Sequence, residues 1–194
     1  MRQIPPVLGA SFGLLACVSF ISLYIVAVSI DHEYTFFENY LSDLGVGPGA
    51  WAFNSAVISA GVLIILFSAS GLRQLLPKDR PSTAGEGLLV VAGLFLVGIG
   101  VFTEDYGDLH TFVSVAFFTM LEIGIGVLSA ALYRSKALGQ TGWMASLIVF
   151  VLGVGVVMMG MGPESETVAV LLALVWGSSL SSAAIWLESG HRIP

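Results

Sequence analysis

The side chains best suited to chemistry are concentrated in one short turn of the sequence. The stretch from Gly98 to Phe118 reads GIGVFTEDYGDLHTFVSVAFF and holds Glu104, Asp105, Asp108 and His110 within seven residues, between two long apolar runs. An imidazole beside carboxylates can act as a general base or bind a metal, because its unperturbed pKa lies near neutrality. The competing interpretation is that His110 only caps the start of the helix that follows.

A second polar group precedes the next apolar run, in the segment ENYLSDLG. It contains Asn39, Ser42 and Asp43, and Asn54 follows one turn inside that run. Ser42 has the position of a cap for a short turn, whereas Asn54 needs hydrogen-bond partners because its surroundings are apolar. We therefore expect Asn54, Asp43 and His110 to meet in one polar cluster. Its possible metal ligands are His110, Asp105 and Asp43.

A third acidic segment, GPESET, contains Glu164 and Glu166 and would complete this cluster. A different kind of acid is Glu122, which lies in the middle of an apolar run, in TMLEIGIG. A lone charge at that depth is costly and usually faces a protein interior, a partner helix or a water-filled cavity. Twelve residues separate Glu122 from His110, which places them about 120° apart around a regular helix. One helix face therefore cannot carry both.

The elements that carry these side chains are predicted to be transmembrane helices. Of the 194 residues, 56% are hydrophobic and 10% are charged, against about 25% charged in soluble domains. Runs of about 20 apolar residues suffice to cross a bilayer. The sequence predicts a single all-α domain over residues 1–194, a bundle of six transmembrane helices near 7–30, 51–72, 85–102, 111–133, 143–161 and 168–187.

Basic residues predict the orientation of this bundle. All seven Lys and Arg residues flank the same ends of the six spans, and they are Arg2, Arg73, Lys78, Arg80, Arg134, Lys136 and Arg192. Because basic residues stay in cytoplasmic loops, both termini are predicted to be cytoplasmic in a multi-pass protein of the cell membrane. The opposite loops are acidic, and the net charge of −6 argues against nucleic acid as a partner.

The segments ENYLSDLG, WAFNSAVISAG, GIGVFTEDYGDLHTFVSVAFF and GPESETVAVLLALVWG resemble the membrane family known as domain of unknown function 998. The resemblance covers nearly the whole chain and implies a multi-helix bundle with no assigned activity. In one place the chain departs from the expected pattern, because Ser165 follows Glu164 where an arginine is often found. An ion pair at that point is therefore not expected here.

Three classes of function fit these residues. The first is a binding or structural membrane component, alone or within a larger assembly, whose partner is the lipid bilayer or a lipid. The second is an intramembrane lipid hydrolase, with or without a metal, that uses Ser42, Asp43, Asp105 and His110. The third is a cation or proton transporter based on Glu122 and the acidic loops. The sequence names no cofactor or substrate and does not decide whether the protein is an enzyme.

Overall fold

A computed structural model describes residues 5–135, 137–160 and 162–188. Within these residues the chain is helical and contains no strand, which confirms the predicted all-α fold with six helices long and apolar enough to span a membrane. The long helices are α1 (Pro6–Ile30), α2 (Ala50–Ser70), α3 (Arg80–Val101), α4 (Asp108–Ser135), α5 (Gly139–Met158) and α6 (Pro163–Glu188). Short 3₁₀ helices occupy Leu41–Gly45, Leu72–Gln74 and Glu104–Tyr106.

The helices α3, α4, α5 and α6 begin several residues earlier than the apolar runs predict, because polar residues that lower the hydropathy still form the first turn of a helix. Asp79 caps α3, since its Oδ1 accepts a hydrogen bond from the Ser82 amide at 2.9 Å. α4 begins at Asp108 and α6 at Pro163, and both have acidic residues in their first turn, where the helix dipole favours them. His110 and Glu164 therefore lie on helices rather than in loops. The fifth helix ends at Met158, and Met161, the predicted end, lies outside the described residues.

Successive helices pack side by side, and α6 packs against α1, so that the six helices form a ring. α2 and α3 approach closely at Gly61, where an added Cβ would lie 2.7 Å from the Gly93 carbonyl oxygen. α5 is the most loosely packed helix, because its buried residues are limited to Ser146, Val149 and Gly153. The loose packing of α5 against α4 and α6 leaves space between these three helices.

The two ends of the ring differ in charge. The connectors 31–49 and 102–107 and the described residues between α5 and α6, 159–160 and 162, lie at one end and contain no Lys or Arg, and we call this the acidic end. The connectors 71–79 and 137–138 lie at the other, the basic end, with Arg73, Lys78, Arg80 and Arg134. The candidate site is at the acidic end.

Candidate functional site

The 3₁₀ helix Leu41–Gly45 lies at the acidic end, and the Asp43 side chain caps the start of this helix. Asp43 Oδ2 accepts hydrogen bonds from the Tyr40 amide at 3.0 Å and from Asn39 Nδ2 at 3.1 Å. Asn54 Nδ2 donates to the Gly45 carbonyl oxygen at 2.9 Å at the other end of the same turn. These bonds shape the connector between α1 and α2, and they account for Asn39, Asp43 and Asn54 as structural groups.

Two carboxylates from other parts of the chain hold this 3₁₀ helix in place. Glu166, in the first turn of α6, accepts a hydrogen bond from the Leu41 amide at 2.7 Å through its Oε2. Glu104 accepts one from Ser42 Oγ at 2.7 Å through its Oε1. The connector between α1 and α2 is therefore joined to the connector between α3 and α4 and to the first turn of α6 through two acidic side chains.

Burial raises the pKa of Glu104 above its usual value. The hydrogen bond from Ser42 opposes this shift, whereas the neighbouring Asp43 carboxyl adds to it and His110 nearby lowers it. The larger effect is desolvation, which disfavours the charged form of a carboxyl group. A positive charge close to Glu104 would therefore stabilise the ionised form of its carboxyl group.

His110 joins the end of α3 to the start of α4. It is 9% exposed, and its Nδ1 lies 2.7 Å from the carbonyl oxygen of Phe102, the residue that ends α3. A carbonyl only accepts hydrogen bonds, so Nδ1 carries a proton and Nε2 of the neutral ring is the acceptor. Nε2 lies 3.4 Å from Ser114 Oγ, one turn further along α4. His110 therefore fixes the turn between the two helices, although it does not cap α4 as expected. Its Nε2 is left beside the Ser114 hydroxyl.

A cavity of about 420 Å³ lies between α4, α5 and α6. Its mouth at the acidic end is lined by Ser42, Glu104, His110 and Glu166, and its deeper walls are mostly apolar. Ligand pockets commonly measure about 300–1,000 Å³ and combine apolar walls with a few polar groups. The cavity has the size and polarity of a site for a small amphiphile.

The cavity also opens sideways, toward the surface that lipid would cover. Val115 on α4 and Val157 on α5 both line it, and they are 40% and 59% exposed. A molecule in the bilayer could enter between these helices without crossing the polar connectors. This opening is consistent with the loose packing of α5.

Glu122 lies deep in the same cavity. Its carboxyl group lies against the α5 backbone at Gly153 and Val154, and a Cβ on Gly153 would be 2.3 Å from Glu122 Oε2. Its Oε1 is buried and has no hydrogen-bond partner among the described residues. Glu122 and His110 point in different directions around α4, as the sequence predicts. Both still line the cavity, because the cavity is wide enough to contact both of these sides of the helix.

The remaining candidates from the sequence lie outside the cavity. Asp105 is exposed in the turn Glu104–Tyr106, Asp108 is exposed at the first residue of α4, and Glu164 is exposed in the first turn of α6. Within the described ranges, no group of three or more His, Cys, Asp and Glu side chains could hold a metal ion. His110, Asp105 and Asp43 are therefore not brought together as a ligand set.

Two residues of the site were underrated from sequence. Ser114 was not a candidate, although its spacing of four residues from His110 places the two on one helix face. Glu166 was not distinguished from Glu164, although side chains two positions apart on a helix are rotated by about 200° around its axis. Recognising the helix start at Gly162-Pro163 would have separated them.

The fold and site define a class of protein: an integral membrane bundle of six helices with an amphiphilic cavity at one end. The chain belongs to the family described as "Protein of unknown function (DUF998)", whose model matches residues 14–187. No curated protein matches the chain, and no solved structure matches it either. The argument for a function therefore depends on the site itself.

Proposed function

We propose that this protein binds a single-chain amphiphile in the cavity between α4, α5 and α6. The polar head lies at the acidic end, between Glu104 and Glu166, and the chain extends along the apolar walls toward Glu122. The observation that supports this most is that one cavity of about 420 Å³ joins a polar mouth to an apolar, laterally open interior. A purely structural protein has no need of such a space, because protein interiors are normally close-packed.

The charge of the mouth indicates which head fits. Glu104 and Glu166 both line it, Asp43 lies close to Glu104, and no Lys or Arg occurs in the three connectors of this end. A cleft with one sign of charge and low-dielectric walls concentrates ligands of the opposite sign. The best match is a head that donates hydrogen bonds and carries a positive charge, as a primary amine does.

Equilibrium binding to the purified protein tests this proposal. A long-chain alkylamine and an alkyl sulfate of the same chain length are compared, so that only the head differs. We expect the amine to bind at least about 10-fold more tightly, since a hydrogen bond to a charged group contributes about 1.5–3 kcal/mol. Equal binding of the two probes, or tighter binding of the sulfate, would refute the proposal.

Two glutamates in one helix turn supply a matched pair of variants. Glu166→Gln removes an ionisable carboxyl group at the mouth but keeps an acceptor for the Leu41 amide, whereas Glu164→Gln removes an exposed carboxyl group outside the cavity. We expect Glu166→Gln to weaken amine binding by about 10-fold and Glu164→Gln to leave it within error. An equal effect of both would indicate general surface electrostatics instead.

We also infer that the acidic end faces the outside and that both termini are cytoplasmic, because the basic connectors lie at the opposite end. Single cysteines replace two exposed residues, Asp105 and Lys78, in a background that lacks Cys17. A membrane-impermeant thiol reagent applied from outside should label Asp105→Cys and not Lys78→Cys. The reverse pattern would invert the topology.

A second candidate function is hydrolysis of a lipid ester, and the contact between Ser114 and His110 favours it. Helical serines such as Ser11 and Ser129 donate to the carbonyl four residues back, whereas Ser114 Oγ lies 3.4 Å from His110 Nε2. Ser114 Oγ would add to the ester carbonyl as its proton passes to Nε2. We rank this second because the oxyanion would develop close to Glu104 and Glu166, which would repel it.

A fluorophosphonate probe separates the two candidates. Hydrolysis requires a covalent adduct on Ser114, found by mass spectrometry, that Ser114→Ala abolishes and His110→Gln slows. Ser129→Ala is the control, because Ser129 does not line the cavity and its hydroxyl donates to the Ile125 carbonyl oxygen. Absence of the adduct in protein that binds the alkylamine would leave binding as the function.

A further inference from the structure

The cavity holds a second polar position that the proposed binding mode does not use. Glu122 lines its deep part, midway along α4, while the walls around it are mostly apolar. A regular helix rises about 1.5 Å per residue, so Glu122 lies about 18 Å from the level of His110 and about 12 Å from that of Ser114. A bound chain would therefore meet polar groups at two separate depths.

Glu122 has an acceptor atom that the protein does not satisfy. Its Oε1 is buried and lacks a hydrogen-bond partner among the described residues. Buried polar atoms without partners are rare in native proteins, and each one calls for an explanation. In the part of the chain that the structure describes, the other three buried side-chain atoms without a partner are the hydroxyls of Ser68, Ser82 and Thr167, and none of these residues lines this cavity.

The surroundings of Glu122 keep the carboxyl group in its place beside the cavity. Gly153 provides the space for it, since a Cβ there would lie 2.3 Å from Oε2 and 2.8 Å from Oε1. The inward residues one and two turns below it, Ile125 and Leu128, are apolar and almost fully buried. Ser129, seven residues past Glu122, is also buried, but its hydroxyl donates to the Ile125 carbonyl oxygen at 2.7 Å, and Ser129 does not line the cavity. Glu122 is therefore the deepest polar residue of α4 that lines the cavity.

We propose that Glu122 recognises a hydrogen-bond donor on the far part of the bound amphiphile, such as a hydroxyl group on its chain. This inference rests on the proposed binding function and narrows the ligand class to amphiphiles with polar groups at both ends. The head is held at the mouth by Glu104 and Glu166, and the distal hydroxyl donates to Glu122 Oε1. A site built to bond a hydroxyl discriminates against an analogue that lacks it, because the site's own polar atom is then left unpaired.

The test compares plain alkylamines with ω-hydroxyalkylamines over a series of chain lengths. For each length, the ratio of the two dissociation constants isolates the effect of the hydroxyl group. We expect this ratio to favour the hydroxylated chain by about 10-fold at lengths that span about 12–18 Å, and to fall away for shorter chains that do not reach Glu122. A preference that is independent of length, or absent at every length, would overturn the inference.

Variants on two neighbouring helices show whether the preference depends on Glu122. Glu122→Leu should abolish the hydroxyl preference, so that the ratio of the two dissociation constants approaches one at every chain length. Gly153→Val should displace the carboxyl group and reduce the preference, whereas Gly155→Val, on the same helix with nothing within 4 Å of its Cβ, should not. A preference that survives in Glu122→Leu would refute the role of Glu122.

The outcomes also separate this inference from the binding proposal. If plain alkylamines bind and the hydroxyl makes no difference, the inference fails and the proposed function stands. If neither series binds to wild-type protein, both are refuted.

Discussion

The two ends of the helix bundle differ in the partners of their carboxyl groups. At the basic end, Arg73 Nε lies 3.0 Å from Glu86 Oε2, and Arg134 Nη2 lies 3.1 Å from Asp79 Oδ2. Glu86 and Asp79 therefore each have a basic partner within the chain. Glu86 is the clearest case, because its side chain is 11% exposed while Arg73 reaches it from solvent.

At the acidic end, the carboxylates are held by neutral donors instead. Glu104 is bonded by the Ser42 hydroxyl and Glu166 by the Leu41 amide. Neutral donors orient a carboxylate, but they do not neutralise its charge, and no Lys or Arg lies in the connectors of this end. This difference between the two ends is the basis of the binding proposal, in which the head of the ligand supplies a positive charge.

Filling the cavity should have the largest effect on binding. Ala169 on α6 lines the cavity, and Ala169→Phe would place a ring in the space of the ligand chain. Overpacking costs about 1–3 kcal/mol, so we expect alkylamine binding to weaken by up to about 100-fold in an equilibrium titration. Leu171→Phe is the control, since Leu171 is exposed and lines a separate groove between α1 and α6. Equal losses in both variants would show that the cavity is not the site.

Removing the buried acid should stabilise the empty protein. Glu122 Oε1 has no partner in the described structure, so Glu122→Leu removes an unsatisfied polar atom from an apolar wall. We expect a gain of about 1–2 kcal/mol in the free energy of unfolding, measured without ligand, with Glu122→Gln close to wild type. A large loss of stability in Glu122→Leu would show instead that the carboxyl group is structural.

Breaking an ion pair at the basic end should lower stability without affecting binding. Arg73→Ala leaves Glu86 without its partner, but Arg73 is 64% exposed, so water can replace it. We expect a loss of about 1 kcal/mol in the free energy of unfolding and no change in the affinity for alkylamine. A change in affinity would mean that the two ends are coupled, and the contrast between them would no longer hold.

The smallest expected effect is the pH dependence that Glu104 contributes. Its pKa is raised in the folded protein above the usual 4.5, so folding disfavours the charged form. The contribution of Glu104 therefore lowers the free energy of unfolding as the pH rises from about 4.5 to the raised pKa. Above the raised pKa this contribution no longer changes with pH. Glu104→Gln should be more stable than wild type at neutral pH, and this difference should shrink toward pH 4.5 in thermal melts. A difference that is constant with pH would exclude this role for Glu104.

The sequence predicted the helices better than it predicted the site. Six apolar runs of sufficient length define six spans because membrane thickness sets helix length, and the basic residues identify one end. The helix starts were less accurate, since they depend on Asp79, Asp108 and Pro163, which hydropathy ignores. In consequence Glu164 and Glu166 were treated alike, although the structure places them on different faces of α6.

The cavity could not be predicted, because it depends on how α5 packs between its two neighbours. Helical periodicity describes one helix at a time, and it separates Glu122 from His110 by about 120°. That these residues line one space follows from the distances between three helices, which the sequence pattern does not contain. For the same reason the sequence did not single out Ser114, whose Oγ lies 3.4 Å from His110 Nε2, whereas Ser42 was a candidate and lines the same cavity as His110.

The most direct test of the binding proposal is photo-crosslinking with an alkylamine that carries a diazirine in its chain. The protein offers two recesses large enough for a chain, the cavity between α4, α5 and α6 and the apolar groove of about 530 Å³ between α1 and α6. We expect adducts on residues of the cavity, such as Phe118, Val149 and Ala173, and their suppression by excess unlabelled amine. Saturable adducts on the groove residues Leu14, Ile21 and Val175, with none in the cavity, would contradict the proposal.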